Sequence, residues 1–524
     1  MSGHVAMLLP CLPLVAAVAG WAAERTGLPY PVLLVVAGSL LGLSSVVATP
    51  ELSPQVMFFV FLPPLLYYAA FFSAPRDLRA NATPIGLLAV GLVLVTMAAV
   101  AGVMVGVAGV PPGVAAVVGA VVAPTDAVAA TAVFRRLNVP ERLVTIVEGE
   151  GLVNDGSALV LYASAVAAVV TGALGPGEIA MALLAAPLGG ALLGFAIAWV
   201  LVWVRRRIDQ PLVEITLSLS TPYLTYVTAQ IAGLSGILAT VVAGVYVGSR
   251  TGVIYTAGGR LQAFAFLDVL VFVLNGVLFT LLGMQLVRVV RAIPDLAIET
   301  VMAAMIAVIA AVMGSRLVWM LLGPAAARLL GRAGQPAGWR ERIVIGWAGM
   351  RGGVSLAAAL AVPLRRADGS PFPDRELVVV VTAGVIVATL MLQGTSLPWL
   401  LRHLGIGHED LQSQQRLARL QAARAALAWL DDYAATERVD DAVESLRALY
   451  GARVRRLQGA NQDQPSRATS GADELQRYRE LQLRLLGVER STVIELRQQG
   501  RISATVRRAI ERILDLEEAR ILGL

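Results

Sequence analysis

Thirteen apolar runs, most of them about 20 residues long, a bilayer's worth of helix, fill the first four hundred residues of this chain. They lie at 5–23, 30–47, 52–73, 84–110, 112–134, 143–171, 178–204, 212–231, 234–248, 262–287, 296–322, 341–363 and 376–401. Inside a bilayer the backbone must satisfy its own polar groups, so segments of this length are expected to be helices. The weakest division is Gly233–Gly236, between the eighth and ninth runs. With 57% hydrophobic and 15% charged residues the chain is too apolar for an ordinary soluble domain. The expected fold is an all-α polytopic membrane protein.

The net charge of +6 does not point to nucleic acid, because the basic residues of the apolar part sit in short clusters between runs. Every basic side chain is arginine, which excludes lysine nucleophiles and Schiff bases. Cys11 is the only cysteine, so an internal disulfide and a Cys-rich metal site are excluded. The histidines are His4, His403 and His408, all outside the runs, which removes a buried Ser-His or metal-His hydrolase. The first run lacks a basic leader and carries Pro10 and Pro13, and is taken as a retained helix, not a signal peptide.

Arginine placement gives an orientation. The odd-numbered loops carry Arg25; Arg76 and Arg79; Arg135, Arg136 and Arg142; Arg205, Arg206 and Arg207; Arg250 and Arg260; and Arg328, Arg332, Arg340 and Arg342. The first four even-numbered loops carry none, and the last two carry Arg288 and Arg291, then Arg365, Arg366 and Arg375. This bias places the N-terminus outside and the C-terminus in the cytoplasm. The chain then divides into a transmembrane domain, residues 1–402, and a cytoplasmic helical tail, residues 403–524. In the tail, QQRLARLQAARAALAWL and ELQRYRELQLRLLGVER read as amphipathic helices, with ANQDQPSRATSGAD between them as a linker.

Four carboxylates interrupt the fifth and sixth runs: Asp126, Glu148, Glu150 and Asp155. A carboxylate at the centre of a membrane helix costs about 2.5–3.5 kcal/mol on insertion scales, so such a group is expected to have a use. In GAVVAPTDAVAATAVF, Pro124 removes a backbone donor two residues before Asp126, which breaks the fifth helix at mid-membrane. A broken helix lining a cavity offers ion ligands, here Thr125 and Asp126. The other reading is a kinked packing helix whose Asp126 pairs with an arginine. In IVEGEGLVNDGSALVLY, Glu150 and Asn154 share a helix face, with Asp155 about 100° round from Asn154. These oxygen donors suit Na⁺, Li⁺, K⁺ or protons and not a transition metal. A structural ion-pair network is the alternative. Glu148, nearer the helix end, reads as solvated. Arg316, in MGSRLVWMLLG, needs a buried partner, and Glu150 is the natural one. Arg351 lies in GWAGMRGGVSLAAAL, where glycines weaken the twelfth helix. Two helices interrupted at mid-depth point to an inverted repeat with the site at its pseudo-two-fold.

APTDAVAA, EGEGLVNDGSAL and GWAGMRGGVSLAAAL, together with FVFLPPLLYYAAF and LDVLVFVLNGVLFTLLGMQL, closely resemble the monovalent cation:proton antiporter family, in its sodium/proton exchanger branch. The resemblance spans all thirteen runs and extends to the end of the tail. It implies broken helices crossing in inverted repeats, and a bacterial plasma-membrane protein that exchanges Na⁺, or Li⁺ or K⁺, for H⁺ in pH and sodium homeostasis. A K⁺/H⁺ antiporter and a cation or proton channel are the alternatives. The implied cation and proton ligands are Thr125, Asp126 and Asp155, with Asn154 beside them. Glu150 and Arg316 form the implied structural pair, and Arg351 is a modulator in the broken helix. The Asn-Asp order implies electroneutral exchange. A homodimer is expected, and no cofactor or nucleic-acid partner. Two departures stand out: Gly151 occupies the place of a common serine ligand, and Tyr67 and Tyr68 stand where some relatives place an acid, leaving less negative charge on the approach to the site.

Overall fold

A computed structural model describes residues 3–26, 28–44, 59–172, 176–208, 210–291, 298–329, 338–406, 411–436, 441–458 and 472–522. Among them the only β pairing is an isolated bridge between Arg365 and Pro371. The helices of eight residues or more are α1 (Gly3–Thr26), α2 (Tyr30–Leu43), α3 (Leu62–Phe72), α4 (Ala82–Ala108), α5 (Pro112–Val122), α6 (Ala127–Arg136) and α7 (Glu141–Thr171). They continue with α8 (Pro176–Arg205), α9 (Pro211–Ile231), α10 (Gly236–Gly248), α11 (Ala257–Arg291), α12 (Ile298–Leu329), α13 (Trp339–Trp347), α14 (Gly353–Leu360) and α15 (Arg375–His403). Four more follow: α16 (Leu411–Thr436), α17 (Asp441–Gln458), α18 (Ala472–Gln498) and α19 (Ala504–Leu522).

Each of the thirteen apolar runs carries helix. Among the described residues seven segments are long and apolar enough to cross a membrane: α4, α5 with α6, α7, α8, α11, α12 and α15. Helices α2, α3 and α10 are apolar but shorter. The expected turn between the eighth and ninth runs is present, with Gly233 at φ 70° between α9 and α10.

The fifth and twelfth runs are each two half-helices. Helix α5 starts on Pro112, where a missing N–H costs nothing. It ends at Val122, ahead of Pro124, and α6 restarts at Ala127 with Asp126 as its N-cap. Helix α13 ends at Trp347, and α14 begins at Gly353. The two breaks meet, because the Asp126 N–H donates to the Met350 carbonyl at 2.7 Å. Val118, Val121 and Val122 of α5 share one apolar cluster with Ala358 and Ala359 of α14. Ala129, Ala130 and Phe134 of α6 share another with Val344 and Ile345 of α13. First half thus shares an apolar cluster with second half at both ends, the crossed pairing expected of an inverted repeat. Helix α7 runs unbroken beside the crossing, from Pro140 to Gly172, whose φ of 84° closes it with a bond to the Ala168 carbonyl at 3.0 Å.

Two compact units divide the chain. The first holds most of the apolar helices. The second combines Glu409–Leu524 with the short segments Ile208–Ile215 and Gly252–Ala265. Two tail helices were expected from the sequence pattern; the described residues of Glu409–Leu524 form four, because α17 and α19 are also amphipathic. Ala426, Leu430, Leu446 and Leu485 form one of its apolar clusters, and Ala418, Val493, Val506 and Ile510 another. Within this unit Arg260, expected as a loop topology signal, is buried and grips Asp515 of α19 with two nitrogens. The expected linker, 460–473, lies outside the described residues but for its last two.

Candidate functional site

A cavity of about 280 Å³ lies against the crossing. Thr125, Asp126, Gly151 and Asp155 line it from the broken helix and α7, Gly352 and Ser355 from the twelfth run, and Asn275 and Leu278 from α11. Tyr68, Arg135 and Glu148 line it too, and the Arg135 side chain is 58% exposed, which marks the open end.

The carboxylates divide into two kinds. Glu150 is buried and fully engaged. Arg316 donates to both its oxygens, through Nη1 to Oε1 and through Nη2 to Oε2 at 2.7 Å, and Thr125 Oγ1 donates to Oε1 at 3.1 Å. Arg316 Nε and Nη2 also donate to the Ile345 carbonyl at 3.2 and 3.1 Å, near the C-terminal end of α13. That carbonyl belongs to a last helical turn, which has no intrahelical donors and carries the negative end of the helix dipole, so a guanidinium suits it. Gly349 leaves the room: a Cβ there would collide with the Arg316 side chain.

Asp155 is the opposite case. It lines the cavity and accepts no hydrogen bond from any described residue, and it lies close enough to Asp126 for their charges to interact. Asp126 Oδ1 accepts the Val128 N–H at 2.9 Å, capping α6, while Oδ2 lies against Gly352, where a Cβ would overlap it. Besides Glu148, which Arg135 pairs, the cavity therefore holds two carboxylates, one anchored and one free of protein donors, and the charge of Glu150 is neutralised beside them.

Of the residues expected at the site, Asp155, Asp126 and Thr125 line the cavity. Asn154 does not. Its Nδ2 donates to Thr125 Oγ1 at 2.8 Å, so it braces the threonine from behind, and its Oδ1 has no partner among the described residues. Arg351 is also withdrawn: it is 1% exposed, its Nη1 donates to the Gly349 carbonyl at 3.1 Å, and its N–H donates to Thr389 Oγ1 at 3.2 Å. Gly151 faces the cavity with Ala127 pressed on it, and a Cβ added there would lie 2.7 Å from the Ala127 methyl. A serine would need the two helices to move apart. Glu148, expected as a solvated group, is ion-paired to Arg135 at 2.7 Å.

Sequence reasoning passed over three groups. Tyr68 donates its hydroxyl to Asp268 at 2.7 Å, so α11 places an acid near the open end, where a shortage of negative charge was expected. Asn275 and Ser355 line the cavity. The available signal was polarity: between Phe264 and Leu282 the polar residues of α11 are Asp268, Asn275 and Thr280.

Two half-helix pairs crossing at a cavity with a free carboxylate define the architecture of a secondary ion transporter, and the apolar helices make it a multi-pass membrane protein. The chain belongs to the sodium/hydrogen exchanger family, whose transmembrane model matches residues 14–403. It is 36% identical over 507 residues to an uncharacterized Na⁺/H⁺ exchanger of Mycobacterium tuberculosis, covering 94% of this chain and 92% of the relative. It is 30% identical over 506 residues to the Na⁺/H⁺ antiporter ApNhaP of Aphanothece halophytica, covering 93% and 91%. Among solved structures, the sodium proton antiporter MjNhaP1 of Methanocaldococcus jannaschii superposes with a TM-score of 0.60 over 77% of this chain and all of that one, at 19% identity, which establishes the shared fold. Membership of this family makes cation/proton exchange the coarse function.

Proposed function

We propose that the chain exchanges Na⁺ for H⁺, one for one, with Asp155 as the group that carries either ion. The observation that carries this reading is the contrast between Asp155, which faces the cavity without a protein donor, and Glu150, whose charge Arg316 holds. A carboxylate already bound to a guanidinium has little to offer a cation. One whose only possible partners enter through the cavity exchanges them freely.

Asp126 and Thr125 add oxygen ligands from the break, and Asp126, anchored on α6, supplies a fixed charge. When Asp155 holds H⁺ or Na⁺ the site has the same net charge, so the carrier moves the same charge in each direction and exchange is electroneutral. Competition for one group is sufficient to couple the two fluxes. The cavity lining includes Pro124 and Thr125 but no residue of α5, whose Val118 and Val122 are fully buried in an apolar cluster shared with α14. A site reached from one end at a time suits alternating access and not a channel. The open end lies by Arg135, in a loop the arginine bias assigns to the cytoplasm, so this state faces inward. The C-terminal tail then lies in the cytoplasm, and the physiological role is sodium and pH homeostasis at the plasma membrane.

The test uses proteoliposomes with a trapped pH-sensitive dye and the membrane potential clamped, to which Na⁺ or K⁺ is added. Wild type should give a saturable, clamp-insensitive pH change with Na⁺, and folded Asp155→Asn should give none. Proton flux without a counter-cation, or an Asp155→Asn variant that matches wild type, would overturn the reading.

A further inference from the structure

Helix α11 lines the same cavity as the two aspartates. Along it Asp268, Val271, Asn275 and Leu278 follow one another at i, i+3, i+7 and i+10, a single helical stripe. Val271, Asn275 and Leu278 line the cavity, and Asp268 is held beside it by Tyr68. The three polar residues in this stretch of α11 differ in what they do. Asp268 accepts from Tyr68, and Thr280 donates back to the Gly276 carbonyl at 2.7 Å. Asn275 is 8% exposed, and its amide makes no hydrogen bond to any described residue. Its amide is not among the sealed, unpartnered polar groups of the interior: it opens on the cavity and is left to meet what enters there, whereas leucine would fill the same volume in this apolar helix with no polar group to satisfy.

We propose that Asn275 is a cation ligand, its amide oxygen completing from α11 a coordination shell begun by Asp155, Asp126 and Thr125. This rests on the reading of Asp155 as the ion-carrying group. An amide oxygen is a hard donor suited to Na⁺ or Li⁺. It does not titrate near neutral pH, so it adds affinity for the cation without adding a proton to the exchange, and the one-for-one ratio is kept. It also makes affinity sensitive to the distance between α11 and the crossing, so that Asn275 contributes to selectivity by ion size.

The experiment measures the KM for Na⁺ and Li⁺ in proteoliposomes carrying wild type, Asn275→Leu, Asn275→Asp and Asp155→Asn, alongside the Na⁺-dependent rise in melting temperature of each purified protein. Losing one ligand should raise the KM of Asn275→Leu about five- to tenfold with maximal rate retained, and shrink its Na⁺-dependent melting shift. Asn275→Asp, which adds charge at the same distance, should lower the KM below wild type. Wild-type KM values in both Asn275 variants, with Asp155→Asn inactive, would overturn the role of Asn275 and leave Asp155 standing. Should Asn275→Leu fail to fold, an unchanged KM in Asn275→Asp is the overturning result. If wild type itself gives no saturable exchange, or Asp155→Asn matches it, the underlying reading fails first.

Discussion

Glu150 and Arg316 are 1% and 2% exposed, and each depends on the other for its charge. Removing one partner of a buried pair strands the other, at a cost of about 3–5 kcal/mol. Glu150→Gln and Arg316→Ala should therefore each lower the melting temperature markedly in detergent. Glu150→Gln combined with Arg316→Met should recover part of the loss, since neither charge then remains. Single variants that melt like wild type and change only cation affinity would make Glu150 a transport ligand instead. The pair is legible in the sequence, because an arginine within an apolar run must find an acid, and few acids lie at that depth. Asn275 is not legible in the same way. An uncharged amide in a membrane helix has many uses, and only its lack of a partner in three dimensions separates it from a packing residue. Asn154 fails in the reverse sense: its sequence position beside Asp155 places it near the site, but the 100° step between neighbours turns it away from the cavity.

The interrupted helices were readable as elements from Pro124 and from the glycines around Arg351. What sequence spacing does not give is the meeting of the two breaks, which the backbone bond from Asp126 to Met350 marks. Two glycines of the twelfth run have separate tasks there, one admitting Arg316 and the other Asp126. Gly352 has φ −141° and ψ −157°, extended backbone that any residue adopts, so its requirement is for space alone. Gly352→Ala should place a methyl on the Asp126 carboxylate, displace it from the cavity, and raise the KM for Na⁺ by about tenfold or more, the equivalent of about 1.4 kcal/mol. Gly314→Ala, where a Cβ meets nothing within 4 Å, serves as the control and should exchange as wild type. Equal KM values in the two variants would mean that Asp126 does not contribute to cation binding.

At the scale of the whole molecule, composition and run length specify a helical membrane part, while the tail's polar, arginine-rich sequence conceals how much structure it has. Charged helices with narrow apolar faces give a weak periodic signal, and α17 and α19 become apparent only once their faces meet α16 and α18. That packing also buries charge. Glu489 of α18 is 1% exposed and is bound by Arg453 at 3.0 Å. Burial pushes its carboxyl above the usual glutamate range, with Glu517 adding to the rise and Arg453 and Tyr450 opposing it. A carboxyl whose pKa is higher in the folded than in the unfolded state binds its proton more tightly when folded. Its contribution to stability is then fully present below the unfolded pKa and is lost as pH rises through the folded one. The second unit should accordingly be tighter below the ordinary glutamate range and loosen as pH rises through the raised, folded-state pKa of Glu489. Hydrogen exchange of α17 and α18 amides in the full-length protein, corrected for the intrinsic effect of pH on exchange, should show protection falling with rising pH in wild type. Glu489→Gln, which stays neutral, should remove most of that slope. An unchanged slope in Glu489→Gln would assign the pH response to another group, and protection that rises with pH in wild type would contradict the sign derived from burial.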